Sequence, residues 1–459
     1  MQRWFSKTSL TRRVAVLAAP LVLQQISFTL LGVTDTFFVS RISTEAVAAV
    51  GLAGVIFFAL MLLFRSTANS SVVFVGRAFG AKDDAALGAS VWHVLNTVML
   101  LSLLTFLLPA AFSYVFQFAS PQNAPEVSAL GTRYLQIRAF EVPLAMFNAV
   151  VWGFLVGRND SRTPMLLAWL QVAVNIVLDW LLVLGNLGFP AWGVTGAAVA
   201  TVLANLVVAV VSAVILWRPT HRVRYDLGRW RRSRLTDIGN VLRIGLPMGL
   251  GDFSEISSFA VFFAIVGRLG TDMLAANNIA LQYMSLSFTV GIAIGMASSS
   301  LVAQFLGSSE PQQAERAGYR AVYLAMAVMG LIGLSYLIAP AALIRLFSDD
   351  AGVVAAGVTI LRVVAFYQVF EALGVVLGGS LNGAGDTRFT MLARLVLAWG
   401  VFLPLTWLLT FTLAGGVRGA WTAAVVYLGV LGLIYLWRFR SGRWKALQVS
   451  PAPPAGATP

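Results

Sequence analysis

Leu170-Gln-Val-Ala-Val-Asn175-Ile-Val-Leu-Asp179-Trp180 lies inside an apolar run from Met165 to Leu187. The spacing puts Asn175 and Asp179 four residues apart, on one face of one predicted helix. At about 1.5 Å per residue the run is roughly 34 Å long, enough to cross the hydrocarbon core of a bilayer. A carboxylate therefore falls at membrane depth, where it is costly unless paired, protonated or hydrated. Asp179 is either a functional group or a hydrogen-bonding partner for a neighbouring helix, and its depth favours function.

The composition extends this reading to the whole chain. Of 459 residues, 58% are hydrophobic and only 11% charged, where a soluble domain carries about 25% charged residues. The fold class is an all-α polytopic membrane protein with no room for a sizeable soluble domain. The net charge of +13 gathers in short loops of one side, so it reflects topology and not a nucleic-acid surface. There is no cysteine, which excludes disulfides and cysteine metal sites. His93 and His221 are too far apart to form a metal pattern; His93 is expected to pack in the third span, His221 to lie in a basic loop. Arg3, Lys7, Arg12 and Arg13 precede an apolar run that continues to Val39 with Asp35 inside it. That is too long for a cleaved signal and is taken as a retained first span.

Apolar runs predict twelve spans, near residues 14–39, 46–75, 89–115, 127–157, 164–187 and 193–217, then 240–267, 274–304, 317–345, 353–383, 389–413 and 417–438. The amino terminus, the even-numbered connections and the carboxyl terminus hold 24 of the 32 Lys and Arg residues. Both termini are therefore expected on the cytoplasmic side. The expected divisions are an amino-terminal lobe (1–217), a basic linker (218–239), a carboxyl-terminal lobe (240–438) and a tail (439–459) whose Pro- and Ala-rich end, Ser450 to Pro459, is expected to be disordered. An anionic-lipid or nucleotide patch is the other reading of the linker, but no glycine-rich phosphate loop supports it.

The two halves repeat. A shift of 227 places Pro20 on Pro247, Arg41-Ile-Ser-Thr-Glu45 on Arg268-Leu-Gly-Thr-Asp272, and Gly80 on Gly307; a shift of 226 places Gly157-Arg-Asn-Asp160-Ser-Arg162 on Gly383-Ala-Gly-Asp386-Thr-Arg388. Six spans per copy is even, so the copies are expected to share an orientation about a pseudo-two-fold axis along the membrane normal. In the Gly-x-x-Asp-x-Arg turns, glycine is expected to end one helix and aspartate to cap the next.

Asp35 and Asp179 lie at similar depth, roughly 9–12 Å below the outer surface. Two acids in one apolar pocket form a proton store or a cation site. Asn175 and Thr201 add amide and hydroxyl oxygens, which suit sodium as well as a proton switch. Asp35 has a plainer reading too, as an outer-end cap or a partner for Arg41. Deeper acids, Glu255 in span seven and Glu371 in span ten, form a second candidate site, with structural pairing to Arg362 or Arg65 as the plainer reading. Arg138 and Glu141, one turn apart, are expected to neutralise each other, and Arg65 to meet an acid on another helix. Phe154, Tyr283, Met284, Phe288 and Met296 are candidates for an apolar substrate cleft.

At these landmarks the chain resembles the multidrug and toxic compound extrusion family over roughly residues 14–438. The resemblance rests on Pro20 and Asp35, on Val174-Asn-Ile-Val-Leu-Asp179, on Gly196-Ala-Ala-Val-Ala-Thr201 and on Gly383-Ala-Gly-Asp-Thr-Arg388. It implies twelve helices in two six-helix lobes with a V-shaped cleft, and export of organic cations or amphipathic drugs against protons or sodium. It also implies a coupling site at Asp35, Asn175, Asp179 and Thr201, a bending point at Pro20, and, in some members, a cation-coupling pair at Glu255 and Glu371. Monomeric action in a bacterial-type inner membrane, without catalysis, is expected, with no cofactor beyond the coupling ion. The alternative within the wider superfamily is a flippase for a lipid-linked precursor, which the intramembrane acids disfavour. A membrane-embedded transferase or protease lacks its motifs here: there is no His-x-x-x-His, no cysteine and no Gly-x-Ser-x-Gly.

Overall fold

In hydrocarbon every backbone polar group must be satisfied within the protein, so long apolar runs become helices. The computed structural model describes residues 9–119 and 125–449. Arg3, Lys7 and the tail from residue 450 lie outside the described residues. Among the described residues, eleven helices are long and apolar enough to cross a membrane, and a twelfth span is the pair Pro125–Arg138 and Glu141–Val156, bent by 42°. The chain is thus the twelve-helix, all-α membrane protein its composition called for.

The repeat is visible in the backbone. An offset of 227 carries the second span, Thr44–Gly80, onto the eighth, Thr271–Gly307. The same offset relates two pairs of residues held at positive φ: Lys82 (57°) with Ser309 (60°), and Leu187 (54°) with Ala414 (51°). Offset by 226, Asn159 (68°) matches Gly385 (88°). Both sit in the Gly-x-x-Asp-x-Arg turns; a glycine ends the helix in each, Gly157 in the first and the left-handed Gly385 in the second. The two aspartates then diverge. Asp160 caps the next helix, accepting from the Thr163 N–H at 3.1 Å and its hydroxyl at 2.8 Å. Asp386 makes no such cap; it pairs with Arg438, Nε to Oδ2 at 2.6 Å.

Several element ends differ from the apolar runs. The third span stops at Thr105, and Leu108–Ala119 is a separate helix. The eleventh, Thr387–Thr412, contains two π-helical segments, Ala398–Phe402 and Leu408–Thr412, around Pro404. A proline has no N–H to give, so the hydrogen-bond ladder shifts on either side of it.

Helices divide into two packed units, one of Leu23–Gly249 and the other of the described residues up to Val22 with Leu250–Val449. The division falls inside the first span, Leu10–Val39, just after Pro20, and inside the seventh, Leu235–Gly267, just after Pro247. In the second unit the eighth span meets the tenth, Ala351–Ala384, along small residues. A Cβ on Gly379 would stand 2.5 Å from the Gly295 carbonyl oxygen, one on Gly383 2.2 Å from that of Ser299, and the Ser298 and Ser380 hydroxyls meet at 2.7 Å. Close backbone approach of this kind is how helices associate where hydrophobic exclusion is weak.

In the first unit the basic linker is folded onto the third span, Asp84–Thr105. Tyr225 is buried with its carbonyl oxygen against Gly88, where a Cβ would come within 1.8 Å. Asn96 donates to Arg231 O and Ser233 Oγ, each at 2.8 Å, and Arg224 pairs with Asp84 at 3.0 Å. His93 lies 2.8 Å from Ser233 Oγ of the linker and 3.7 Å from Asp237 in the first turn of the seventh span.

Candidate coupling site

Three helices of the first unit bring the candidate residues into one buried cluster. Asp35 comes from the first span, Asn175 and Asp179 from the fifth (Arg162–Leu182), and Thr201 from the sixth (Val194–Leu216). Asn175, Asp179 and Thr201 are 0% exposed and Asp35 5%. One amide atom of Asn175 lies 3.0 Å from Asp35 Oδ1 and 3.1 Å from Asp179 Oδ2. While both acids are ionised that atom is nitrogen, because an oxygen there would meet only acceptors; it donates to both. The Thr201 hydroxyl reaches Asp35 Oδ2 at 3.3 Å and Ala197 O at 3.0 Å. Among the described residues Asp179 Oδ1 has no hydrogen-bond partner. The four sequence candidates are thus one contiguous polar site.

The fourth span adds a group whose importance sequence reasoning missed. Arg138 pairs with Glu141 through Nε, accepted by Oε2, and its Nη1 lies 3.8 Å from Asp35 Oδ2. Nη1 also donates to the Tyr134 hydroxyl at 2.7 Å, and the guanidinium lies 4.5 Å from the Phe57 ring centroid of the second span. Glu141 is 5% exposed and accepts from Asn205 Nδ2 at 2.9 Å through its other oxygen. Arg138 and Glu141 neutralise each other as their spacing implied, yet they also extend the Asp35 cluster across the bend of the fourth span. A local pair at i,i+3 gave no sign of that contact. Asp35 faces this interior network, not Arg41 as its plainer reading had it; the Arg41 guanidinium lies over Phe37 at 5.0 Å.

In the other unit, Arg394 of the eleventh span is the cation beside the deep acids. It bonds Asp252 and lies 3.3 Å from Glu255 Oε2. Arg362 is exposed and is not the partner the sequence suggested; the Arg65 guanidinium lies over Phe28 at 4.3 Å. Glu371 accepts from the Tyr367 hydroxyl at 2.9 Å while its Oε2 has no hydrogen-bond partner. Of the cleft candidates, Phe154 is 0% exposed and packed edge-on to His221 and Tyr225, which leaves it no surface for a ligand. Met284 is buried too. Tyr283, Phe288 and Met296 are half-buried, and the Tyr283 hydroxyl donates to Leu343 O at 2.7 Å.

The family model MatE matches residues 20–181 and 247–408, one stretch in each copy of the repeat. The chain belongs to the MatE family. It is similar to the multidrug resistance protein NorM of Burkholderia vietnamiensis, 30% identical over 437 residues that cover 93% of this chain and 92% of the relative. The probable NorM protein of Thermotoga maritima is 26% identical over 441 residues, covering 94% and 92%. In fold it is similar to a MOP superfamily transporter from Pyrococcus furiosus, with a TM-score of 0.85 at 22% identity, covering 96% of this chain and 98% of that one. As a MatE protein the chain is a multi-pass membrane transporter, and the family resemblance read from the sequence is borne out.

Proposed function

We propose that the chain is a secondary active multidrug exporter that exchanges organic cations or amphipathic drugs for protons or sodium by alternating access. The observation that carries this is the buried cluster of Asp35, Asn175, Asp179 and Thr201. Two carboxylates facing one amide in a dry site repel strongly, and a proton or a cation bound between them relieves that repulsion. Binding there changes the charge of the cluster and the hydrogen bonds between the first, fifth and sixth spans. Pro20 gives the first span a point at which it bends, since its ring removes a backbone bond. Exchange follows if the ion and the drug favour different conformations of the same helices. Glu255 and Glu371 form a secondary acidic site, the former sharing Arg394 with Asp252. Tyr283, Phe288 and Met296 contribute surface to the drug path. The protein acts as a monomer in a bacterial inner membrane with both ends cytoplasmic, its lobes at 1–217 and 240–438 joined by the 218–239 linker and followed by the 439–459 tail.

The test is efflux of a fluorescent organic cation from proteoliposomes under a proton gradient and, separately, a sodium gradient. One gradient is expected to drive wild-type export, and Asp35→Asn to abolish it while inserting normally. Unchanged export by that variant refutes the assignment.

A further inference from the structure

We propose that an open cavity between the start of the first span and the ninth span binds an anionic phospholipid, whose phosphate Arg316 and Arg320 hold. The cavity has a volume of about 430 Å³ and is lined by Ser9, Leu10, Thr11, Gln313, Arg316 and Arg320. All six belong to one packed unit. The Asp35 cluster belongs to the other unit, so this site is independent of the coupling reading.

The ninth span, Pro311–Ile338, has two distinct faces. Ala314, Gly318, Ala321 and Ala325 pack inward and are buried. Arg316, Arg320, Tyr323, Leu331, Leu334 and Ile338 fall on the opposite face, and all are exposed. Along that face a pair of cations is followed by an aromatic ring and then by hydrocarbon, the order in which a membrane changes from head group to acyl chain. From Tyr323 to Leu334 the helix rises about 16 Å, close to the half of a roughly 30 Å hydrocarbon core that one leaflet fills. Arg316 and Arg320 stand one turn apart, and guanidinium groups bind phosphate oxygens two at a time. Among the described residues neither arginine forms an ion pair, and the adjacent acid, Glu315, is paired with Lys445 instead.

The other copy of the repeat covers this face with protein. A shift of 227 places Ala89 on Arg316, His93 on Arg320 and Asn96 on Tyr323. In the third span His93 meets Ser233 Oγ of the linker at 2.8 Å, and Asn96 donates to Arg231 O. In the ninth span the matching positions are exposed, and two of them carry charge. Residues 1–8 and 450–459 contain no Asp or Glu, so no side chain there supplies an anion. A phospholipid does, on the side of the membrane where Lys and Arg gather. A free phosphate would meet the arginines alone, whereas a lipid also covers Tyr323 and the apolar residues in line with it.

The experiment equilibrates the purified full chain with an equimolar mixture of anionic phosphatidylglycerol and zwitterionic phosphatidylcholine, and measures the lipid retained by native mass spectrometry. Wild type is expected to retain phosphatidylglycerol several-fold over phosphatidylcholine. The double variant Arg316→Gln with Arg320→Gln is expected to lose that preference. Arg345→Gln with Arg418→Gln, the same loss of charge in two odd-numbered connections, is expected to keep it. All four arginines are exposed, so every variant is expected to give the wild-type peak in size-exclusion chromatography. Excess inorganic phosphate is expected to leave the retained lipid in place. Equal retention of the two lipids by wild type overturns the proposal without recourse to any variant. A preference that survives in the Arg316 and Arg320 variant, or is lost equally in the control pair, also overturns it. Displacement by inorganic phosphate overturns it in favour of a free-anion site.

Discussion

Removing Glu141 tests whether the Arg138 network is as tightly bound as its geometry implies. Glu141→Gln keeps the shape and the Asn205 contact but takes away the anion that Arg138 Nε bonds. Removing one partner of a buried ion pair costs about 3–5 kcal/mol, mostly because the other charge is stranded. Here Asp35, 3.8 Å away, takes over part of the pairing, so the cost is expected near the bottom of that range, about 3 kcal/mol. Arg138→Gln strands Glu141 instead, with only Asn205 left to it, and is expected to cost about 4 kcal/mol. The double variant strands neither, so the two losses are expected to overlap by about 3 kcal/mol. The assay is reversible unfolding in mixed micelles, followed by fluorescence of the 13 tryptophans, for all four members of the cycle. Additive losses, within about 0.5 kcal/mol, would refute the tight buried pair.

Gly383→Val sets a side chain against the Ser299 carbonyl oxygen at the contact of the eighth and tenth spans, and is expected to remove the folded peak in size-exclusion chromatography; Gly330→Ala, with nothing within 4 Å of its Cβ, is the control expected to leave it unchanged. His221, outside the spans, donates from Nδ1 to Ile215 O at 2.9 Å and accepts at Nε2 from Arg158 at 3.3 Å; burial first, then the Arg158 charge, push it below its ordinary value. The unfolded chain therefore takes up this proton first, so the stability His221 contributes is present above about pH 6.5 and is lost as pH falls below it. The melting temperature is expected to drop more between pH 7 and 5.5 for wild type than for His221→Phe; parallel curves would show that His221 contributes none of it.

Much of this was legible in the sequence because membranes simplify the code. Span number follows from apolar length, and Asn175 and Asp179 share a face because four residues make about one turn. The approach of Asp35 to both was inferable from equal depth. What could not be read was the pairing of residues remote in sequence at a given depth. Arg138 was dismissed because a local acid seemed to satisfy it, yet a guanidinium has five donors and serves several acceptors at once. Arg394 was passed over because it sits near the basic turn that starts the eleventh span, where an arginine ordinarily faces headgroups. Phe154 was misplaced because an aromatic in an apolar run carries no mark of which side it faces.

The most direct measurement of the account is the proton count when drug binds to purified protein in weakly buffered detergent. Adding a transported organic cation to wild type is expected to release close to one proton per protein, and adding it to Asp35→Asn to release none. Equal release from both would contradict the central claim that drug and coupling ion compete through Asp35.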